Sequence, residues 1–176
     1  MVILMVQNKL LLDQMQDQEL ANEVARSLSN KGQTLATAES CTGGAIGALL
    51  TSLAGSSTWF NGGIISYSNS SKINLLSVES KVIDSNGAVS QEVVEAMAIG
   101  GRKALAADVC VAVSGVAGPS GGSVEKPVGS VWIAWCGPGI DMSMRVSSQL
   151  YHLDGSRKEI QSIAVRMALM GIINRC

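Results

Sequence analysis

One seven-residue segment, Glu39-Ser40-Cys41-Thr42-Gly43-Gly44-Ala45, constrains this chain more than any other. The residues before it, 34–38, form an apolar run typical of a short strand, and those after it carry apolar side chains at helical spacing. The unpaired backbone N–H groups at the start of such a helix can hold a phosphate or a developing oxyanion. Two interpretations are open at this point. Ser40 either belongs to a ligand or catalytic site, or is an ordinary helix cap followed by glycines that allow close packing.

Size and charge restrict the class of protein. With 176 residues, the chain is long enough for one domain with a substantial core and short for two. A formal net charge of −1 argues against a broad surface for nucleic acid or anionic membranes. One Phe, two Tyr and three Trp are too few for a base-stacking platform. We therefore expect neither nucleic acid nor a membrane as a partner.

The cysteines and the single histidine do not form a metal-site pattern. The cysteines have no paired spacing, and one histidine does not complete a typical zinc set; these residues are Cys41, Cys110, Cys136, Cys176 and His152. Cys110 and Cys136 lie in apolar runs, as expected of buried thiols in a reducing compartment. The apolar start, residues 1–6, is too short for a secretory signal. We expect a cytoplasmic protein with no metal and no cofactor.

The apolar patterns predict alternating helices and strands. Helices are expected at about residues 8–30 and 42–53, after Ser68-Asn69, and at 90–106 and 157–174; strands are expected at 34–38, 64–67, 108–114, 131–135 and 142–151. Helices join the first three strands, which should therefore be parallel, whereas the short last turn requires an antiparallel strand. We predict an α/β fold, a three-layer α/β/α sandwich with a mixed, mostly parallel five-stranded sheet. Residues 1–176 should form a single domain, with the N-terminal helix (about 8–30) packing on it.

Two glycine-rich turns are expected at the same edge of this sheet. One is the Ser40 turn, and the other, residues 115–123, follows the apolar run 108–114. Because ligands of open α/β sheets bind outside the carboxyl ends of the strands, this placement favours a ligand site over a simple helix cap. The second turn lacks the Walker and dinucleotide patterns, so we interpret it as backbone N–H groups that clamp an anion, with Ser120 and Ser123 as further donors. The alternative is a plain surface loop.

Five motifs follow one another in an order that resembles a known family. They are Thr37-Ala38-Glu39-Ser40-Cys41-Thr42-Gly43-Gly44, then Gly55-Ser56-Ser57 with Trp59-Phe60, Tyr67-Ser68-Asn69 with Lys72, Gly87-Ala88-Val89-Ser90, and Gly115-Val116-Ala117-Gly118-Pro119-Ser120-Gly121-Gly122-Ser123. Over roughly residues 19–169, the chain resembles the CinA C-terminal domain family, which includes stand-alone nicotinamide-nucleotide amidohydrolases. The resemblance implies a small-molecule nucleotide substrate. It also implies hydrolysis of nicotinamide mononucleotide to nicotinate mononucleotide and ammonia, in pyridine-nucleotide salvage.

The resemblance also assigns catalytic roles. Ser40 takes the role of nucleophile. His152 lies beyond the last strand and outside the motifs, so no Ser-His-Asp triad is plausible, and Lys72 is the expected base in a Ser-Lys arrangement. Lys72 should lie within hydrogen-bond reach of Ser40, and Tyr67 should orient Lys72 or relay a proton. Cys41 remains a rival nucleophile.

The same resemblance places substrate-binding groups in the two turns. Backbone N–H groups around Thr42, Gly43 and Gly44 are the expected oxyanion hole. The nucleotide's phosphate and ribose are expected on the second turn, at Gly115, Ala117, Gly118, Gly121, Gly122 and Ser123. Arg145 and Arg157 are further candidates for a phosphate contact, or are surface residues.

Two residues depart from the family pattern at the start of the last helix. Ser156 stands where an Asp is usual, and Gln161 stands where a second Arg is usual. These departures leave room for an alternative function, a catalytically weak or inactive paralogue that binds a nucleotide or a protein. We expect the stand-alone form of the family, and the apolar N-terminal segment leads us to expect a homodimer.

Overall fold

Five strands form one sheet in the computed structural model, which describes residues 15–139 and 143–175. The strands are β1 (Leu35–Glu39), β2 (Phe60–Ile65), β3 (Val109–Gly115), β4 (Ser130–Pro138) and β5 (Met144–His152). Their order across the sheet is β2-β1-β3-β4-β5.

The strand directions confirm the predicted mixed sheet. β1 pairs in parallel with β2 and β3, whereas β4 is antiparallel to both β3 and β5. Only β4 therefore runs against the other strands. In this register Glu39 lies opposite both Ile65 and Val113, so the carboxyl ends of β1, β2 and β3 meet at one edge.

Helices cover both faces of the sheet and complete the predicted α/β/α sandwich. They are α1 (Asp17–Lys31), α2 (Ala45–Thr51), α3 (Asn69–Leu76), α4 (Ser80–Asn86), α5 (Gln91–Ala104) and α6 (Arg157–Arg175). Side chains of α1, α2 and α6 share one buried apolar cluster with the sheet, and those of α3, α4 and α5 share a second. The strand β1 is buried along its whole length because it contributes to both clusters.

Several helix ends follow the expected local chemistry. Gly32 ends α1 with a φ of 59°, a left-handed conformation that glycine adopts without steric cost. Ser68 caps α3 by accepting a hydrogen bond from the Ser71 N–H, and Ser90 caps α5 by accepting one from the Val93 N–H. The cap at Ser68 fixes the first turn of α3, which carries Lys72.

Other boundaries differ from the prediction. α1 begins at Asp17 rather than near residue 8, because the Glu19 carboxylate folds back on the Gln16 N–H; the predicted stretch 8–14 lies outside the described residues. The strand β2 starts earlier than predicted, at Phe60. The helix α4 was not predicted, since its seven residues carry a weak apolar pattern.

The paired glycines of α5 explain how closely the helices approach. A Cβ on Gly100 would lie 1.9 Å from the Leu76 carbonyl oxygen, at the end of α3. A Cβ on Gly101 would lie 2.9 Å from the Cys110 sulfur on β3. The lack of side chains at these two positions lets α5 pack closely against both α3 and β3.

Across residues 15–139 and 143–175, no helix combines the length and the hydrophobicity that a membrane crossing requires.

Candidate active site

Ser40 lies where the sheet ends and the first glycine-rich turn begins. Its N–H donates to the Val113 carbonyl at 3.0 Å, and the carbonyl of Glu39 accepts from the Ser66 N–H at 2.8 Å. The turn is thus tied to the strands on both sides of β1. Ser40 is 8% exposed, and its hydroxyl faces a small cavity at the carboxyl edge of the sheet.

Lys72 reaches this serine from the first turn of α3. Its Nζ donates to Ser40 Oγ at 3.0 Å, to the Ser66 carbonyl at 2.7 Å and to the Tyr67 carbonyl at 3.4 Å. The predicted hydrogen-bond contact between Lys72 and Ser40 is confirmed. Lys72 is only 1% exposed, and no acidic side chain pairs with it within the described part of the chain.

The environment of Lys72 makes its neutral form more accessible than that of an exposed lysine. Desolvation by burial lowers the pKa of the Lys72 amine from its usual 10.5, while the nearby Cys41 acts in the opposite direction to a lesser extent. An uncharged amine offers a lone pair, so the hydrogen bond to Ser40 can reverse and take the hydroxyl proton. The pair can therefore activate a serine hydroxyl without a histidine.

The sequence motif contains Glu39 directly before Ser40, but the motif alone predicted no function for this residue. Its buried carboxylate accepts hydrogen bonds from the N–H groups of Gly44 (3.0 Å), Ile46 (3.1 Å) and Gly47 (2.9 Å), and from the Thr42 hydroxyl (2.8 Å). The side chain of Glu39, rather than that of Ser40, thus caps α2. The sequence did offer one indication that Glu39 has a specific partner, because a charged residue ends an otherwise apolar strand.

These contacts correct the predicted oxyanion hole. The Gly44 N–H donates to Glu39, and the Gly43 N–H donates to the Ser40 carbonyl at 3.1 Å. Neither is free to meet a substrate oxygen. The backbone N–H groups of Cys41 and Thr42 have no acceptor from another residue in the described chain, so these are the donors left in the turn.

Cys41 is poorly suited to act as the nucleophile. It is a buried free thiol, and burial raises its pKa to about 11. A thiol attacks as its thiolate, which is scarce near neutral pH at such a pKa. The geometry therefore favours Ser40 over Cys41.

Tyr67 lines the cavity but does not orient Lys72 through its hydroxyl. The Tyr67 side chain is 61% exposed, and its Oη accepts a hydrogen bond from the Arg157 guanidinium at 3.1 Å. Tyr67 accepts a hydrogen bond from Lys72 through its backbone carbonyl.

Arg157 also contacts the second glycine-rich turn. A second guanidinium nitrogen of Arg157 donates to the Gly118 carbonyl at 2.8 Å. Arg157 thus joins the end of β2 to the second glycine-rich turn, and Arg145 lies apart from it on β5.

The second glycine-rich turn contributes only its first residues to the cavity. The lining residues are Ser40, Cys41, Tyr67, Lys72, Ala88, Val89, Ser114, Gly115, Ala117 and Arg157. Gly121, Gly122 and Ser123 are exposed and absent from this lining. The Ser123 hydroxyl accepts from the Lys126 N–H, and the Ser123 N–H donates to the Lys126 carbonyl, so both groups stabilise the turn itself.

The wall formed by Ala88 and Val89 was not predicted as part of the site. Ser114, at the end of β3, donates from its hydroxyl to the Ala88 carbonyl at 2.7 Å. That contact holds the segment before α5 beside the Ser40 turn. No local sequence pattern indicates it, because the two segments are 26 residues apart.

No group of three or more His, Cys, Asp or Glu side chains converges on a possible metal position within residues 15–139 and 143–175. Cys110 and Cys136 are buried free thiols, as predicted, and Cys41 is also buried and unpaired. His152 lies at the end of β5 and does not line the cavity.

Comparison with known proteins gives consistent matches. A family model described as the CinA C-terminal domain matches residues 17–176. A CinA-like protein of Synechococcus sp. (strain CC9902) is 49% identical over 154 residues, 87% of this chain; the match spans 36% of that relative's length. The nicotinamide-nucleotide amidohydrolase PncC of Pseudomonas putida is 46% identical over 154 residues, covering 88% of this chain and 93% of that protein. Among solved structures, the competence/damage inducible protein CihA from Agrobacterium tumefaciens superposes with a TM-score of 0.82 at 37% identity, covering 90% of this chain and 94% of that one.

Proposed function

The chain belongs to the CinA C-terminal domain family, and from this premise we propose that it is an amidohydrolase that converts nicotinamide mononucleotide to nicotinate mononucleotide and ammonia. The contact that carries the proposal is the 3.0 Å hydrogen bond between Lys72 Nζ and Ser40 Oγ inside the cavity. A buried lysine with a lowered pKa next to a serine hydroxyl is the arrangement that Ser-Lys hydrolases require.

The first half of the reaction forms an acyl-enzyme. Neutral Lys72 takes the proton of the Ser40 hydroxyl while Oγ attacks the carboxamide carbon, and the carbonyl π electrons move to its oxygen. Backbone N–H groups of Cys41 and Thr42 stabilise that oxyanion. When the oxyanion collapses, the C–N bond breaks, Lys72 returns the proton to the leaving nitrogen, and ammonia departs.

The second half releases the product. A water molecule, deprotonated by Lys72, attacks the ester carbon and forms a second oxyanion in the same position. Collapse breaks the bond between the carbon and Ser40 Oγ, and the proton passes from Lys72 to the serine. The carboxylic acid so formed loses its remaining proton to solvent, and nicotinate mononucleotide leaves as the carboxylate with the enzyme in its starting state.

Arg157 is our candidate for the nucleotide's phosphate. Its guanidinium is a charged group at the rim of the cavity, and a bidentate donor suits phosphate oxygens. Gly115 and Ala117 line the same cavity and complete the binding wall, while Gly118 acts through its carbonyl contact with Arg157. The mechanism uses no cofactor.

The direct test is an ammonia-release assay with purified protein and nicotinamide mononucleotide, with nicotinate mononucleotide measured by chromatography. We expect product from the wild-type protein and none above background from Ser40→Ala. Ser29→Ala is a matched control, because Ser29 is an exposed serine on α1. Nucleotide binding without ammonia release would instead support the binding-module alternative.

We further propose that the protein acts as a homodimer in the cytoplasm, as one domain over its whole length, in pyridine-nucleotide salvage. Three buried free thiols are compatible with a reducing compartment. Light scattering during size-exclusion chromatography tests the oligomeric state, and a monomer mass at working concentration would refute the dimer.

A further inference from the structure

A hydrogen bond from α6 reaches the Ser40 turn from outside the cavity. Gln161, one helical turn beyond Arg157, donates from Nε2 to the Cys41 carbonyl at 2.7 Å. Gln161 does not line the Ser40 cavity. It lines a separate one of about 290 Å³, together with Asp17, Leu49 and Ser162.

In the peptide group between Cys41 and Thr42, the carbonyl is hydrogen-bonded and the N–H is not. Its carbonyl, from Cys41, accepts from Gln161, and its N–H, from Thr42, has no acceptor in the described chain. The next two N–H groups, of Gly43 and Gly44, are both engaged. Among the N–H groups of residues 42–44 in the described chain, only that of Thr42 therefore remains available to a ligand.

Gly43 and Gly44, the residues after this peptide, adopt φ values of 63° and 97°, conformations that glycine enters at low cost. Their N–H groups are held by the Ser40 carbonyl and by Glu39. The Cys41–Thr42 peptide itself is held by the hydrogen bond that its carbonyl accepts from Gln161. Because a trans peptide directs its C=O and N–H in opposite directions, a bond that fixes the Cys41 carbonyl also fixes the Thr42 N–H.

We infer that Gln161 is a positioning residue that holds the Cys41–Thr42 peptide so that the Thr42 N–H serves as an oxyanion donor beside Ser40. The inference rests on the proposed amide hydrolysis and adds a residue to it. Gln161 touches neither substrate nor Lys72; it acts through the backbone. Removing its donor should therefore slow the chemical step and leave substrate binding largely unchanged.

The test compares a variant that loses the donor with one that keeps a donor. Gln161→Met has a similar length, cannot donate, and can rest against Leu49 and Val165 in the adjoining cavity. We expect kcat to fall by about 10- to 100-fold and KM to change by less than about threefold, with an unchanged pH profile. Gln161→Arg keeps N–H donors, and the cavity has room for its longer stem; it should recover most of the lost kcat.

A neighbouring substitution separates this role from general packing. Ser162→Ala changes the same cavity without touching the Ser40 turn, and it should leave kcat within about twofold of wild type. Circular dichroism and the melting temperature verify folding. If Gln161→Met fails to fold, Gln161→Ala, which only enlarges an existing cavity, takes its place.

A second readout does not depend on the substrate. A fluorophosphonate reagent modifies an activated serine and places its phosphoryl oxygen where the oxyanion forms, so loss of the Gln161 bond should slow Ser40 labelling by a similar factor. Wild-type labelling without deamidation would refute the proposed substrate while still testing Gln161. Unchanged kcat and labelling in a folded Gln161→Met variant would overturn the inference, as would a wild-type protein that shows neither reaction.

Discussion

Glu39→Gln is the substitution that most sharply tests how the Ser40 turn is held. The glutamate has one oxygen facing the Gly47 N–H and the other facing Thr42, Gly44 and Ile46. A glutamine has the same shape but only one oxygen. Whichever way its amide is turned, the NH₂ group meets at least one backbone N–H, and two donors then face each other in a buried site.

The cost follows from these contacts. Losing one hydrogen bond to a charged acceptor costs about 1.5–3 kcal/mol, and the remaining bonds weaken because their acceptor is no longer ionised. We expect unfolding free energy to fall by about 2–4 kcal/mol in total, which corresponds to a melting temperature lower by roughly 5–15 °C for a chain of this size.

Urea unfolding followed by tryptophan fluorescence and circular dichroism measures this difference, because Trp59 and Trp135 are buried in the core. Glu125→Gln, in an exposed loop, removes the same charge without a buried partner and serves as the control. If Glu39→Gln costs no more than about 0.5 kcal/mol, as an ordinary surface substitution does, the carboxylate does not hold the turn and our account of α2 capping is wrong.

Further predictions concern the reaction and the packing around it. Cys41→Ala should retain most activity while Ser40→Ala retains none; the opposite outcome in steady-state assays would reassign the nucleophile. Lys72→Ala should lower kcat by orders of magnitude, and Lys72→Arg should not rescue it because a guanidinium stays protonated. Since the pKa of Lys72 is lowered, kcat/KM should rise with pH through a midpoint below 10.5 that is absent from the Lys72→Ala profile. Between that midpoint and 10.5 the unfolded lysine binds more protons than the folded one, so the stability contribution of Lys72 should increase with pH, as urea unfolding at several pH values would reveal. Gly100→Ala should destabilise the fold by about 1–3 kcal/mol in urea despite alanine's better helix propensity, because its Cβ would overlap the Leu76 carbonyl. Dialysis against EDTA should leave the rate unchanged; a loss restored by a divalent ion would show that the proposed metal-free mechanism is incomplete.

The amino-acid sequence by itself determined the features that depend on neighbours along the chain. The near-continuous apolar run of β3 indicated a strand buried on both faces. Ser68 and Ser90 indicated helix starts, because a hydroxyl caps the N–H groups that follow it. The contact between Lys72 and Ser40 was also predictable. One helix and one strand separate them, which is the length that brings the end of β2 beside the end of β1.

Only the tertiary structure decided which polar groups of the site remain available. The Gly44 N–H donates to Glu39 and the Gly43 N–H donates to the Ser40 carbonyl, so neither glycine is left for an oxyanion. The hydroxyl of Tyr67 accepts from Arg157 and does not contact Lys72 by a hydrogen bond. Gln161 reaches the Cys41 carbonyl across 120 positions of sequence. Backbone periodicity specifies the face on which a residue lies, but a long side chain selects its partner from whatever other elements bring within reach, and that choice depends on the packed fold.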